Sequence, residues 1–187
     1  MPGIRTFIAL PTRSNAQQAI AEVQTKLKET NARVKWESQD KFHMTLVFLG
    51  TVEQSKLELL SEALAKSVQQ FPSFTLTYES IGAFPNIRNP RVVWIGSKPN
   101  QPVLDLQAIA EQVCSEFGFT KDDRVFHPHI TLGRVKETSN FDRLTEAIKT
   151  ITFEPIETIC PEILLIKSEL HPGGSIYTIL KSFPLHT

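Results

Sequence analysis

His43-Met-Thr-Leu46 recurs 86 residues later as His129-Ile-Thr-Leu132, and this recurrence decides how the chain is built. Chance sets the scale: five histidines and 17 threonines among 187 residues give about 0.5 His-x-Thr triplets. Two triplets, each followed by Leu, become significant when other features share their register. At the same offset Arg5-Thr-Phe-Ile-Ala-Leu falls on Arg91-Val-Val-Trp-Ile-Gly. Ile20, Val23 and Leu27 fall on Leu106, Ile109 and Val113, an apolar stripe with helical steps in both places. The chain is a duplication, with repeats of about 1–88 and 89–187.

Each repeat reads strand, helix, strand, helix, strand. Ser14 with Gln17, and Thr51 with Gln54, have the spacing of capping boxes before the two helices of the first repeat. Leu57, Leu60, Leu64 and Val68 form the second helix's stripe, and Leu144, Ile148 and Ile151 take that part in the second repeat. Phe74 to Ile81 and Glu162 to Leu170 are the β-rich runs that close each repeat, and Ser175 to Leu180 adds a last strand. The turn-rich Pro85-Asn-Ile-Arg-Asn-Pro90 divides the repeats. There is no Gly-rich loop after any strand, which removes the phosphate cradle of a doubly wound parallel sheet. The expected class is α+β: antiparallel sheets in pseudo-two-fold relation, with helices on their outer faces.

Twenty Lys and Arg balance twenty Asp and Glu, so the chain does not coat a polyanion by bulk charge. A local basic site is compatible with that balance. Cys114 and Cys160 have neither metal-ligand nor redox spacing and read as small residues in a reducing compartment. No apolar run reaches the length of a spanning helix, so the expectation is a cytoplasmic protein with no membrane partner.

Strand alternation puts His43 and Thr45 on one face, with Met44 and Leu46 on the other. His129 and Thr131 are presented in the same way. A lone His-x-Thr strand is ordinarily a half-buried polar pair, but a symmetric pair of them can line a cleft between two sheets. Two imidazoles around a small anion suit phosphodiester chemistry, because near neutrality one can accept a proton while the other donates. Two hydroxyls can hydrogen-bond the non-bridging oxygens. No metal or cofactor is required in this scheme.

The pair His43-Met-Thr-Leu and His129-Ile-Thr-Leu resembles the H-x-T-x signature of the two-histidine (2H) phosphoesterases. The flanks Arg5-Thr-Phe-Ile-Ala-Leu-Pro, Phe42 to Gly50, Arg91-Val-Val-Trp-Ile-Gly and Phe126 to Arg134 are similar to one branch, the RNA 2',3'-cyclic phosphodiesterases, also named 2'-5' RNA ligases. The resemblance covers nearly the whole chain. It implies one bilobal domain over 1–187 with a central cleft, and strands shared out between lobes irrespective of the repeats. It also implies metal-independent hydrolysis of RNA 2',3'-cyclic phosphate ends to a 2'-phosphate. By motif position it makes His43 the proton donor and His129 the proton acceptor, roles that sequence symmetry leaves open.

Arg134 lies five residues beyond His129 and is a candidate phosphate ligand, a role the resemblance supports. Phe48 holds the equivalent place after His43 and is either a base-stacking platform or a core phenylalanine. Tyr177 is a second stacking candidate. His127 reads as structural beside Pro128, and His171 as a turn residue before Pro172-Gly-Gly. Two other classes remain open from the residues: an RNA-end or nucleotide-binding module without catalysis, and a metal hydrolase built on His127-Pro-His129. With no linker or heptad, a monomer is expected.

Overall fold

Short alternating runs separated by four amphipathic segments fold, in a computed structural model, into nine strands and four helices among the residues it describes, 3–137, 140–172 and 174–186. Gly173 of the Pro172-Gly-Gly turn lies outside the described residues. The order is β1 (Ile4–Pro11), α1 (Ser14–Lys28), β2 (Val34–Trp36), a 3-10 turn (Gln39–Lys41), β3 (His43–Val52), α2 (Gln54–Val68), β4 (Phe74–Phe84), β5 (Val92–Ser97), α3 (Gln101–Glu116), β6 (His129–Val135), α4 (Phe141–Thr150), β7 (Ile156–Cys160), β8 (Glu162–His171) and β9 (Gly174–Pro184). His171 is therefore the end of a strand, opposite Gly174, and no turn residue.

All strand pairs are antiparallel, in the order β7-β4-β5-β6-β3-β1-β8-β9, with β2 alongside β6. The two antiparallel halves meet at one residue pair, Met44 with Ile130, the middle residues of the two motifs. The pseudo-two-fold passes through that pair and exchanges β3 with β6 and β1 with β5. The halves do not follow the repeats. β8 and β9 complete the half that holds β1 and β3, while β2 and β4 sit in the half that holds β5 and β6. The helices are exchanged as well: α3 packs on β3 and α1 on β7.

Helices cover one side of the sheet because Met44, Leu46, Ile130 and Leu132 point there into a single core with Ile20, Leu60, Leu106 and Leu144. The uncovered side carries a small separate cluster of Phe7, Ala9, Leu164 and Ile166, with Tyr177 against it. Ile109 and Ile151 of the expected stripes are only half-buried, and Ala110 takes the inward place in α3.

Neither capping box forms. α1 is preceded by Arg13 and α2 by Glu53, without side-chain capping bonds. Ser14 is already inside its helix, and Thr51 is committed to β3, where it pairs with Arg5. The side-chain cap instead belongs to α3, where Asn100 Oδ1 accepts from the Val103 N–H at 3.1 Å. Among the described residues no helix is long and apolar enough to cross a membrane. Cys114 and Cys160 are buried free thiols.

Candidate active site

Continuing the Met44–Ile130 register by one residue places His43 opposite Thr131 and Thr45 opposite His129. All four side chains rise from the helix-free face. The two histidines then sit diagonally across that pair, near enough for the charge of His129 to reach His43.

The backbone fixes each ring in the same way. His43 Nδ1–H donates to the Lys41 carbonyl at 2.6 Å, and His129 Nδ1–H donates to the His127 carbonyl at 2.6 Å. A carbonyl only accepts, so Nδ1 carries the proton in both rings and Nε2 is left for chemistry. Aromatic walls set the tilt. Phe7 lies 4.9 Å from His43 and Tyr177 meets the same ring edge-on at 5.3 Å. Across the cleft Phe84 meets His129 edge-on at 4.9 Å, with Trp94 behind at 6.1 Å. Trp94 lies so flat on its sheet that a Cβ on Gly82 or Gly96 would overlap the indole, so both places require glycine.

Burial pushes the His43 imidazolium down to about 4, opposed by its bond to the Lys41 carbonyl and aided by the nearby His129. His129 is also lowered, by burial first, against the His127 carbonyl bond, with smaller contributions from His127 and Arg134. Both rings are therefore neutral near pH 7 without an anion between them.

Phe48 and Arg134 occupy equivalent places, although simple alternation would send a residue five beyond each histidine to the far face. A β-bulge corrects the phase in each repeat. Ile8 pairs with Val47 and Ala9 with Thr45, leaving Leu46 extra; Val93 pairs with Gly133 and Trp94 with Thr131, leaving Leu132 extra. Each bulge turns two adjacent residues coreward and returns the next to the cleft. Phe48 is 64% exposed there, 5.9 Å from Phe7. Arg134 is exposed, and its charge reaches both His129 and Tyr177. Tyr177 itself is half-buried edge-on against His43 and Phe7, a wall of the cleft more than an open platform.

The Leu132 bulge has its own support. Gln24, buried on α1, donates from Nε2 to the Leu132 carbonyl at 2.9 Å and the Glu37 carbonyl at 2.8 Å. The sequence reading missed Gln24, Phe7, Phe84 and Trp94. The 86-residue register sets Phe7 on Val93 and Trp94 on Ile8, both core residues, and so hid the two aromatics, while Gln24 acts over 108 residues and left no signal.

His127 packs 4.7 Å from Trp94 and 5.6 Å from Phe84, and its ring stands 6.2 Å from that of His129. Among the described residues no three His, Cys, Asp or Glu side chains converge as a metal site requires. The carbonyl of His127 holds the His129 ring, and its imidazole packs against the same aromatic wall.

The chain matches the family described as LigT-like phosphoesterase twice, over residues 10–94 and 95–177, one match to each repeat. It belongs to that family. Among relatives of this LigT-like chain is the RNA 2',3'-cyclic phosphodiesterase of Methanocaldococcus jannaschii, 36% identical over 184 residues, which span 96% of this chain and 100% of the relative. The RNA 2',3'-cyclic phosphodiesterase of Thermotoga maritima is 34% identical over 177 residues, 95% of this chain and 93% of that one. The crystal structure of E. coli LigT complexed with 3'-AMP superposes with a TM-score of 0.79 at 28% identity, covering all of both chains. The α+β fold and the LigT-like phosphoesterase class expected from the sequence are thereby established.

Proposed function

We propose that this chain hydrolyses RNA 2',3'-cyclic phosphate ends to 2'-phosphate and 3'-hydroxyl, with His129 as general base and His43 as general acid and with no metal in the step. The observation that carries it is the pair of imidazoles, each bonded through Nδ1 to a backbone carbonyl, which leaves both Nε2 atoms free on the strand face that the two motif threonines share. Water between His129 and the phosphorus gives its proton to His129 Nε2 as its oxygen bonds to phosphorus. The P–O3' bond breaks on the opposite side, and the departing oxygen takes the proton of His43 Nε2. Thr45, Thr131 and Arg134 donate to the non-bridging oxygens as charge builds there. Turnover leaves His43 neutral and His129 protonated, and exchange with solvent restores both.

A neutral His43 in the free protein is compatible with its role as donor. The phosphodiester carries a negative charge into a desolvated site, and an anion beside the ring favours the imidazolium. A ribose 5'-hydroxyl in place of water gives a 2'-5' linkage by the same steps. Every side chain in this reading comes from one chain, so a monomer suffices.

The test is turnover of an oligoribonucleotide ending in 2',3'-cyclic phosphate, with and without EDTA. The expected result is EDTA-insensitive formation of the 2'-phosphate, with kcat reduced about 10²–10⁴-fold in His43→Ala and in His129→Ala. Tight binding without turnover in the wild type would instead identify a binding module. Loss of turnover in EDTA would return a metal hydrolase.

A further inference from the structure

The chain has no net charge, yet it brings two lysines together at one rim of the cleft. Lys35 on β2 and Lys41 in the 3-10 turn both bring their ammonium groups against Gly174, at the start of β9. They lie 3.5 and 3.8 Å from where a Cβ on that glycine would stand. Gly174 has a φ of 138°, a conformation that a side chain rarely adopts, so the hairpin end can come down between the two lysines. Among the described residues neither lysine forms an ion pair, although Glu37 and Asp40 are close in sequence. Two ammonium groups brought to one spot, neither of them in an ion pair, are donors that one anion can bridge.

The place of that spot relative to the histidines identifies the anion. Lys41 is two residues before His43, so their Cα atoms are at most about 7 Å apart. Lys35 is the cross-strand partner of Arg134 and shares its face of the sheet. Gly174 is three residues from Tyr177, the wall of His43. The basic spot is thus next to the catalytic pair on the His43 side, one nucleotide's reach from the scissile phosphate.

We propose that Lys35 and Lys41 form a second phosphate subsite that holds the phosphodiester on the 5' side of the terminal nucleotide, and so select RNA strands over free cyclic mononucleotides. This rests on the function proposed above, and it extends that function from the reacting group to the strand. A nucleoside 2',3'-cyclic monophosphate offers nothing to the subsite, whereas a dinucleotide with the same end offers one phosphate.

The experiment compares kcat/KM for ApA 2',3'-cyclic phosphate with that for adenosine 2',3'-cyclic phosphate. The expected wild-type ratio is about tenfold or more in favour of the dinucleotide. Lys35→Gln/Lys41→Gln brings it toward one, and Lys35→Arg/Lys41→Arg keeps it. The salt dependence of the dinucleotide value should also weaken in the glutamine variant, since fewer phosphate charges are neutralised. An unchanged ratio in the glutamine variant overturns the subsite, as does a wild type with no preference. A wild type that turns over neither substrate refutes the proposed function. The Kd ratio of ApAp to 3'-AMP, measured in wild type and glutamine variant, then decides the subsite by itself.

Discussion

At the scale of single residues, the histidines were legible in the sequence because chemistry fixes their identity and duplication fixes their spacing. Their surroundings were not, since Phe7, Tyr177, Phe84 and Trp94 reach the rings from other strands. Those surroundings control the protonation state. His43 is held near 4 and His129 below its ordinary value, so the singly protonated pair that the proposed mechanism needs is most populated in the free protein on the acid side of 6.5. The expected kcat/KM profile is therefore bell-shaped with its maximum below pH 6.5, falling about tenfold per pH unit well above it. The bound phosphodiester raises both rings, so the kcat profile should extend to higher pH than that of kcat/KM. Binding at pH 7 should take up protons, seen as a buffer-dependent enthalpy when 3'-AMP is titrated in buffers of different ionisation heat. Equal profiles for kcat and kcat/KM, with no proton uptake, would mean that the anion does not charge the pair. The same depression has a stability consequence. An unfolded His43 titrates near 6.5 and a folded one near 4, so the unfolded chain binds more protons between those values. Stability is full above pH 6.5 and declines as pH falls toward 4, and His43→Asn should flatten part of that decline in urea titrations.

At the scale of elements, the strands that carry the motifs could be read from alternation, and the places where alternation breaks are where the site is made. Leu46-Val47 and Leu132-Gly133 each put two consecutive residues toward the core, and the bulge they form brings Phe48 and Arg134 round to the cleft. β2, with three residues, and β7, with five, are too short for periodicity to reveal, and both are defined by their partners. The capping boxes misled for a related reason. The spacing was right, but β3 runs through Val52 and keeps Thr51, and helix α1 begins at the very Ser14 that was expected to cap it. Gln24 tests how far an element depends on a distant one. Gln24→Leu keeps the volume of the side chain but leaves the Leu132 and Glu37 carbonyls buried without that donor. A loss of about 1–3 kcal/mol is expected, or roughly 2–4 °C in Tm for each kcal/mol. The Leu132 bulge positions Arg134, so KM for the cyclic-ended RNA should also rise in this variant. A lower Tm with unchanged KM would show that the bulge holds without Gln24.

At the scale of the molecule, two repeats suggest two independent halves, yet the connectivity forbids them. Each half of the sheet takes strands from both repeats, and each repeat sends a helix to the other half. Among the described residues the halves pair along the sheet only at Met44 and Ile130, but the core behind that pair is continuous, with α2 against α3 and residues of all four helices in one cluster. A fragment of residues 1–88 would have β1 and β3 without β8, and β4 without β5 or β7. It would expose an unpaired strand edge on each and half of a shared core. Neither repeat should therefore fold alone, and the intact chain should unfold as one unit although its sequence is two. Calorimetry is expected to give a single transition with the calorimetric and van't Hoff enthalpies equal. The separate fragments 1–88 and 89–187 should lack near-ultraviolet circular dichroism and regain it, with cyclic phosphodiesterase turnover, only when mixed. Two resolved transitions, or a folded 1–88 fragment, would mean that the exchange of strands decorates two pre-existing domains. One transition would mean that the cleft exists only because neither repeat is complete without the other.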